Sequence, residues 1–216
     1  MDFQKLVDVY EELEKTSSGN RMREILAEFL KTVPPEDIEI ICYLFLGQIA
    51  SEYEGVVLGM ADKSVLKSIA AASGVDLSRV TTIMQETGDA GLTAERVLQK
   101  KPQTLVPVGK LTIHELFEKL HKIGDITGTG SQDQKSNILV ALLQKTSAKG
   151  AKYVIRMTLG TLRVGAGEMT LLDALALAYT GDKANKEILE KAYNICPDVG
   201  IIAETLVKKG LKGIEK

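Results

Sequence analysis

Apolar side chains return every third or fourth residue along almost the whole chain, a spacing that leaves room for little but helix. Phe3, Leu6, Val9, Tyr10 and Leu13 mark one such face, and Ile25, Leu26, Phe29 and Leu30 a second. Leu116, Leu120 and Ile123 repeat the pattern within 111–123, as do Ile138, Leu139, Leu142 and Leu143 within 132–146. Ser18, Asp62, Asp76, Thr93, Thr112 and Thr170 stand where N-caps or first-turn residues belong. Their short side-chain oxygens can accept from the N–H groups that a helix start leaves unpaired. Strand alternation is missing, and 105–108 is the one short extended candidate. The expected fold class is all-α, with about a dozen helices.

The helices also repeat. With a shift of 113, Ile25, Leu26, Phe29 and Leu30 fall on Ile138, Leu139, Leu142 and Leu143, and Gly47 falls on Gly160. With a shift of 106, Gly59 meets Gly165, Asp62 meets Glu168 and Ser64 meets Thr170. Further on, Asp89-Ala-Gly-Leu-Thr-Ala-Glu95 matches Asp198-Val-Gly-Ile-Ile-Ala-Glu204. Apolar matches follow in part from a shared helical period; matched glycines and acids do not. A solenoid would need three or more units of about 20–50 residues. Two copies of about a hundred residues point instead to two similar halves, about 1–100 and 111–216, related by a pseudo-twofold axis. A link at 99–110, with Pro102 and Pro107, would join them.

Of the 216 residues, 44% are hydrophobic and 26% charged, which suits one large globular domain or two small ones and excludes disorder. Cys42 and Cys196 lie far apart beside apolar residues, which predicts buried thiols and no disulfide framework. The acidic, amphipathic N-terminus has no signal-peptide core, and no apolar run approaches membrane-spanning length. A soluble, intracellular protein is expected.

Two glycine-rich turns are candidates for anion contact. Gly124-Asp-Ile-Thr-Gly-Thr-Gly-Ser131 opens one helical run, and Leu159-Gly-Thr-Leu-Arg-Val-Gly-Ala-Gly-Glu-Met-Thr170 opens another with Arg163 inside the turn. Such turns aim backbone N–H groups and the positive helix end at a ligand. Neither fits GxxxxGK[ST] or GxGxxG, so nucleotide binding is not indicated. A flexible linker and a plain helical joint explain the glycines equally, though not the arginine. Net charge is −2, yet 127–165 carries +5 through Lys135, Lys145, Lys149, Lys152, Arg156 and Arg163 against Asp133. Scattered lysines usually mean a solvated face. Beside two glycine-rich helix openings they favour a phosphate-binding surface.

Ordinary enzyme chemistry is not visible. His114 and His121 have no metal-ligand pattern around them, no HExxH, GxSxG or paired-cysteine motif occurs, and with no Trp a stacking platform is poorly supplied.

Taken in order, several stretches resemble the N-terminal DNA-binding domain of archaeal and eukaryotic ATP-dependent DNA ligases. They are Glu14-Lys-Thr-Ser17 with Arg21-Met22, Tyr43-Leu-Phe-Leu46 and Tyr53-Glu-Gly-Val-Val-Leu-Gly59. Beyond these come Gly88-Asp-Ala-Gly-Leu92, Ile126-Thr-Gly-Thr-Gly-Ser131 through Lys135, Gly160-Thr-Leu-Arg-Val-Gly165, and Ala192-Tyr-Asn194 with Asp198-Val-Gly200. The resemblance implies an all-helical domain of two pseudo-symmetric halves. It implies sequence-independent binding of nicked duplex DNA across the minor groove, in replication, repair and recombination. Separate adenylation and oligonucleotide-binding (OB) domains would do the chemistry with ATP and Mg²⁺, through a lysine in Lys-x-Asp-Gly. No Lys-x-Asp-Gly occurs in these residues, so the chain is expected to bind DNA without sealing it.

The DNA contacts that the resemblance implies are Thr16, Ser17 and Arg21 in the first half, with Gly59 and Lys63 at its second helix opening. In the second half they are Gly128, Thr129, Gly130, Ser131 and Lys135, with Arg163, Gly165 and Gly167 at its other opening. Ser18-Gly19-Asn20 stands where the family often carries a further arginine, and Ala61 where it often carries glycine. Gln103-Thr-Leu-Val106 lacks the paired aromatics with which some archaeal members engage a sliding clamp, which argues against clamp binding there. The expected location is cytoplasmic (nucleoid-associated in an archaeon, nuclear in a eukaryote). A helical protein-interaction scaffold is the rival from another class, and a phosphoester enzyme the weakest.

Overall fold

The computed structural model describes residues 1–51, 55–99 and 110–215. The extended candidate at 105–108, Pro102, Pro107, Tyr53 and the segment at Gln103 lie outside the described residues. Thirteen α-helices and no strand run through the rest. They are α1 (Phe3–Leu13), α2 (Gly19–Leu30), α3 (Ile38–Phe45), α4 (Asp62–Ser73), α5 (Leu77–Thr87) and α6 (Ala90–Leu98). There follow α7 (Ile113–Asp125), α8 (Ser131–Lys145), α9 (Ala148–Thr158), α10 (Glu168–Thr180), α11 (Lys186–Ile195), α12 (Val199–Lys209) and the short α13 (Leu211–Ile214). Short 3₁₀ turns precede α3 and α11.

The helix starts follow local chemistry. Ser18, Asp76 and Thr112 cap α2, α5 and α7, each accepting from a first-turn N–H. Asp62 and Thr170 fall in the first turns of α4 and α10, and Thr93 lies inside α6. The cap of α6 is Asp89, whose counterpart Asp198 caps α12; Ser147 caps α9. Gly124 and Asp125 belong to the end of α7, so the predicted loop is shorter than its glycines suggest.

The chain divides into two compact units: the first draws on both ends of the sequence, the second on its middle and a short N-terminal piece. The first contains Met1, Asp8–Val56 and Arg163–Lys216; the second contains Asp2–Val7 and Val57–Leu162. In the first unit α2 packs on α10 and α3 on α12. Leu26, Leu30, Ile41, Leu44, Leu171, Leu175 and Ile202 form that core. Helix α10 has apolar residues on every side because α2, α11 and α12 all pack against it. In the second unit α8 packs on α4 and α9 on α6, around Val65, Ile69, Ala94, Leu139, Leu143, Val154 and Ile155. Each fully buried leucine or isoleucine contributes about 2 kcal/mol. Under the sequence shifts, the helix pairs of one unit correspond to those of the other. Cys42 is buried, but Cys196 is exposed, against the expectation of two buried thiols: it is the residue after α11, where the helical face ends.

Candidate nucleic-acid interface

The thirteen expected contact residues fall into two groups, one in each unit. In the first unit, Thr16 and Ser17 form the loop before α2, and Arg21 sits exposed in its first turn. The Thr16 hydroxyl accepts from the Ser18 N–H at 3.1 Å, and the Ser18 hydroxyl accepts from the Arg21 N–H at 3.4 Å. Arg163, Gly165 and Gly167 lie in the loop that leads into α10, with Gly167 as its N-cap. Gly165 has φ +79°, and a Cβ there would come within 2.9 Å of the Met22 methyl. The α10 entry therefore lies directly on the first turn of α2. An ion pair from Arg23 Nε to Asp173 at 2.7 Å ties the same two helices, and Lys186 joins Asp173 at 3.4 Å.

In the second unit, Gly59 and Lys63 flank the start of α4, while Gly128, Thr129, Gly130 and Ser131 lead into α8. All but the half-buried Ser131 are exposed. Lys135 differs from these: it is only 5% exposed, and its ammonium donates to the Leu58 carbonyl at 2.7 Å. Gln132 Nε2 donates to the Gly59 carbonyl at 3.2 Å. Thus the first turns of α8 and the turn before α4 are joined, as α2 and the α10 entry are joined in the first unit. Lys135 and Met22 stand at equivalent positions under the shift of 113, beneath the equivalent glycines 59 and 165.

Three of the four openings share a further property, and α2, which Ser18 caps, is the exception. The N-cap positions of α4, α8 and α10 are Ala61, Gly130 and Gly167, and none supplies a side-chain cap. The first N–H groups of a helix have no intrahelical partner. Apart from those of Ser131 and Ser64, which donate to the Gly128 and Ala61 carbonyls, these three ends can offer them to an anion. By contrast α5, α6, α7, α9 and α12 each begin with a side chain that accepts from a first-turn N–H. Helices α3, α11 and the four-residue α13 also lack such a cap, but α3 and α11 each follow a 3₁₀ turn directly. Asp62, Asp133 and Glu168 sit in the first turns of the three uncapped helices and temper their positive ends.

The basic stretch contributes less to the surface than its sequence suggests. Lys135 and Lys152 are buried, Arg156 pairs with Asp89 at 3.2 Å, and Lys145 pairs with Glu115. Exposed cations at the openings are Arg21, Arg163 and Lys63. Among the described residues no group of three or more His, Cys, Asp or Glu is arranged to hold a metal ion, and no helix is long and apolar enough to cross a membrane. Sequence reasoning missed the paired caps Asp89 and Asp198, although both stood in the matched heptapeptides.

Residues 2–176 match the family model described as DNA ligase N terminus. The chain is 42% identical to DNA ligase 2 of Thermofilum pendens over 99% of its own length and 37% of that protein's. It is 38% identical to a DNA ligase of Nitrosopumilus maritimus and 36% identical to a probable DNA ligase of Persephonella marina, in each case over the whole chain and 37% of the relative. It therefore spans well under half the length of these curated relatives. The match covers the candidate openings of both units, and with it the chain belongs to the DNA ligase N-terminal domain family.

Proposed function

We propose that this chain binds duplex DNA at nicks, without regard to sequence, as the N-terminal domain of an ATP-dependent DNA ligase. The observation that carries this is the set of three helix starts without side-chain caps, at α4, α8 and α10, which fall at the stretches expected to meet phosphate. Backbone N–H groups contact phosphates alike over any sequence. The two strands of duplex DNA are related by local twofold axes, so two units with like openings suit a grip across the minor groove, each unit serving one strand. This gives the pseudo-twofold reading of the repeat a functional reason. Arg21, Arg163 and Lys63 add exposed charge, and the nearby carboxylates keep the grip reversible. Adenylation and OB domains would be its partners in the whole ligase and would use ATP and Mg²⁺. No step of that chemistry is assigned to this chain, which lacks Lys-x-Asp-Gly.

The test is fluorescence anisotropy with a labelled nicked duplex across a salt series. Arg163→Glu is expected to weaken binding by about tenfold or more at 0.1 M salt and to lower the log–log salt slope by about 1, while unrelated sequences bind alike. Unchanged affinity in a folded variant would sink the assigned surface. No salt-dependent retention by the parent chain would favour the interaction-scaffold reading.

A further inference from the structure

We infer that Lys135 is a positioning residue: its buried ammonium sets the turn that opens α4 and does not itself touch phosphate. This rests on the DNA-binding reading for its consequence, though not for its geometry. Lys135 stands on the apolar stripe of α8, four residues before Leu139 and seven before Leu142, which directs its side chain inward. The Nζ meets the Leu58 carbonyl at 2.7 Å and lies 3.2 Å from where a Cβ on Gly59 would be. Gln132, one turn earlier on α8, holds the next carbonyl, that of Gly59. Two consecutive carbonyls are thus tethered to one helix. A chain whose carbonyls are fixed on one side presents its following N–H groups in a fixed direction. The two peptide planes held here carry the N–H groups of Gly59 and Met60, and they set the direction in which the chain enters Ala61 and the first turn of α4, where no side chain caps the helix.

The positive φ of Gly59, +61°, belongs to the same device. With no Cβ, Gly59 adopts that conformation without strain and leaves the ammonium its room. The first unit has the same close approach with different chemistry: Met22 lies beneath Gly165, and a thioether has no N–H to donate to a carbonyl. That pair shows that an unbranched apolar chain fits the position, so Lys135→Met is a substitution the scaffold tolerates.

The experiment uses the whole chain with Lys135→Met and Lys135→Gln. In Lys135→Met, hydrogen exchange of the Ser64 and Val65 amides, which bond to the Ala61 carbonyl, is expected to speed up in the absence of DNA. Affinity for a nicked duplex should fall about five- to tenfold, the worth of one hydrogen bond, while the salt slope stays unchanged. Lys135→Gln keeps an uncharged donor, one bond shorter than lysine, and should recover part of both exchange and affinity. A slope lower by about 0.9 together with no rescue by glutamine would show a direct phosphate contact and overturn the inference. Unchanged exchange in Lys135→Met would overturn it as well. If the parent chain binds no duplex while the exchange effects appear, the DNA-binding reading fails and the positioning role stands.

Discussion

The two units solve the same packing problem with opposite chemistry. In the second unit the carboxylate of Asp89 caps α6 through the Leu92 N–H and also faces Arg156 of α9, at 3.2 Å. In the first unit Asp198 caps α12 through the Ile201 N–H and accepts from the hydroxyl of Tyr43 on α3, at 2.9 Å. Tyr43 and Arg156 are equivalent under the shift of 113, as Asp89 and Asp198 are under 109. The cap and the close approach are kept, while the partner changes from cation to neutral phenol. The second unit therefore spends Lys135, Lys152 and Arg156 on its own interior, and a count of lysines along the chain overstates the charge it shows to a ligand.

The close approach is where the comparison can be broken most easily. A Cβ at Gly91 would lie 2.7 Å from the Lys152 carbonyl oxygen, whereas one at Gly200 would lie 2.5 Å from the Tyr43 ring. Overpacking against backbone belongs at the upper end of the usual range, about 3 kcal/mol, so Gly91→Ala should cost about 2 kcal/mol after helix propensity returns about 1 kcal/mol. Gly200→Ala should cost about as much. Trimming the obstacle with Tyr43→Leu should recover part of that loss, while no side-chain change should rescue Gly91→Ala. Urea unfolding of the single and double variants checks both. Equal rescue in both units would mean that the same kind of group blocks both crossings and would overturn the contrast between them.

The shared aspartates sharpen the comparison at the next size of effect. Asp198→Ala removes a cap worth about 1 kcal/mol and a buried charged acceptor for Tyr43 worth about 1 kcal/mol more. Asp89→Ala removes the same cap and a partly exposed ion pair that contributes less than about 1 kcal/mol. Salt separates them. In 1 M NaCl the Asp89→Ala penalty should shrink towards the cap alone, because screening weakens the pair with Arg156, while the Asp198→Ala penalty should hold. Thermal unfolding at two ionic strengths reads the difference.

Much of this is legible in the sequence. Period alone placed the helices, and Ser18, Asp76 and Thr112 were recognisable as caps by residue type. The glycines matched in the repeat, 59 with 165, share positive φ because the backbone makes the same turn at both. Two things were hidden for physical reasons. Periodicity is local, so it cannot say that α2 packs on α10 and α4 on α8, pairings that divide the chain across its repeat rather than along it. Charge was also read without direction. Lys135 shares its stripe with Leu139, Leu142 and Leu143, and Lys152 sits among Ala151, Tyr153, Val154 and Ile155, all buried. The signal that these lysines point inward was in the pattern, but a sum of charges discards it. The three openings without a side-chain cap were partly visible as glycines at 130 and 167, whereas Ala61 gave no sign.

The smallest expected effect concerns a third equivalent pair. Lys152 of α9 faces Glu95 of α6 at 4.0 Å in the second unit. The same positions in the first unit hold Glu39 and Glu204, two like charges. Burial, then Glu204, then Asp198 push the Glu39 carboxyl above the ordinary glutamate range, against the opposing pull of Tyr43 and Lys208. An acid whose folded pKa lies above its unfolded value holds its proton more tightly when folded. Its stabilisation is present at low pH and lost as pH rises through the folded pKa. Glu39→Gln should therefore match the parent below about pH 4, where both are uncharged. At pH 7 it should exceed the parent by up to about 0.5 kcal/mol, a typical surface increment. Glu39→Lys installs the second unit's pairing of opposite charges in the first, and should gain more than glutamine at pH 7 and lose that advantage in 1 M salt. Melting curves across pH 4–8 decide between them. A lysine variant less stable than the glutamine variant at low salt would show that Glu39 is held by Tyr43 rather than opposed by Glu204.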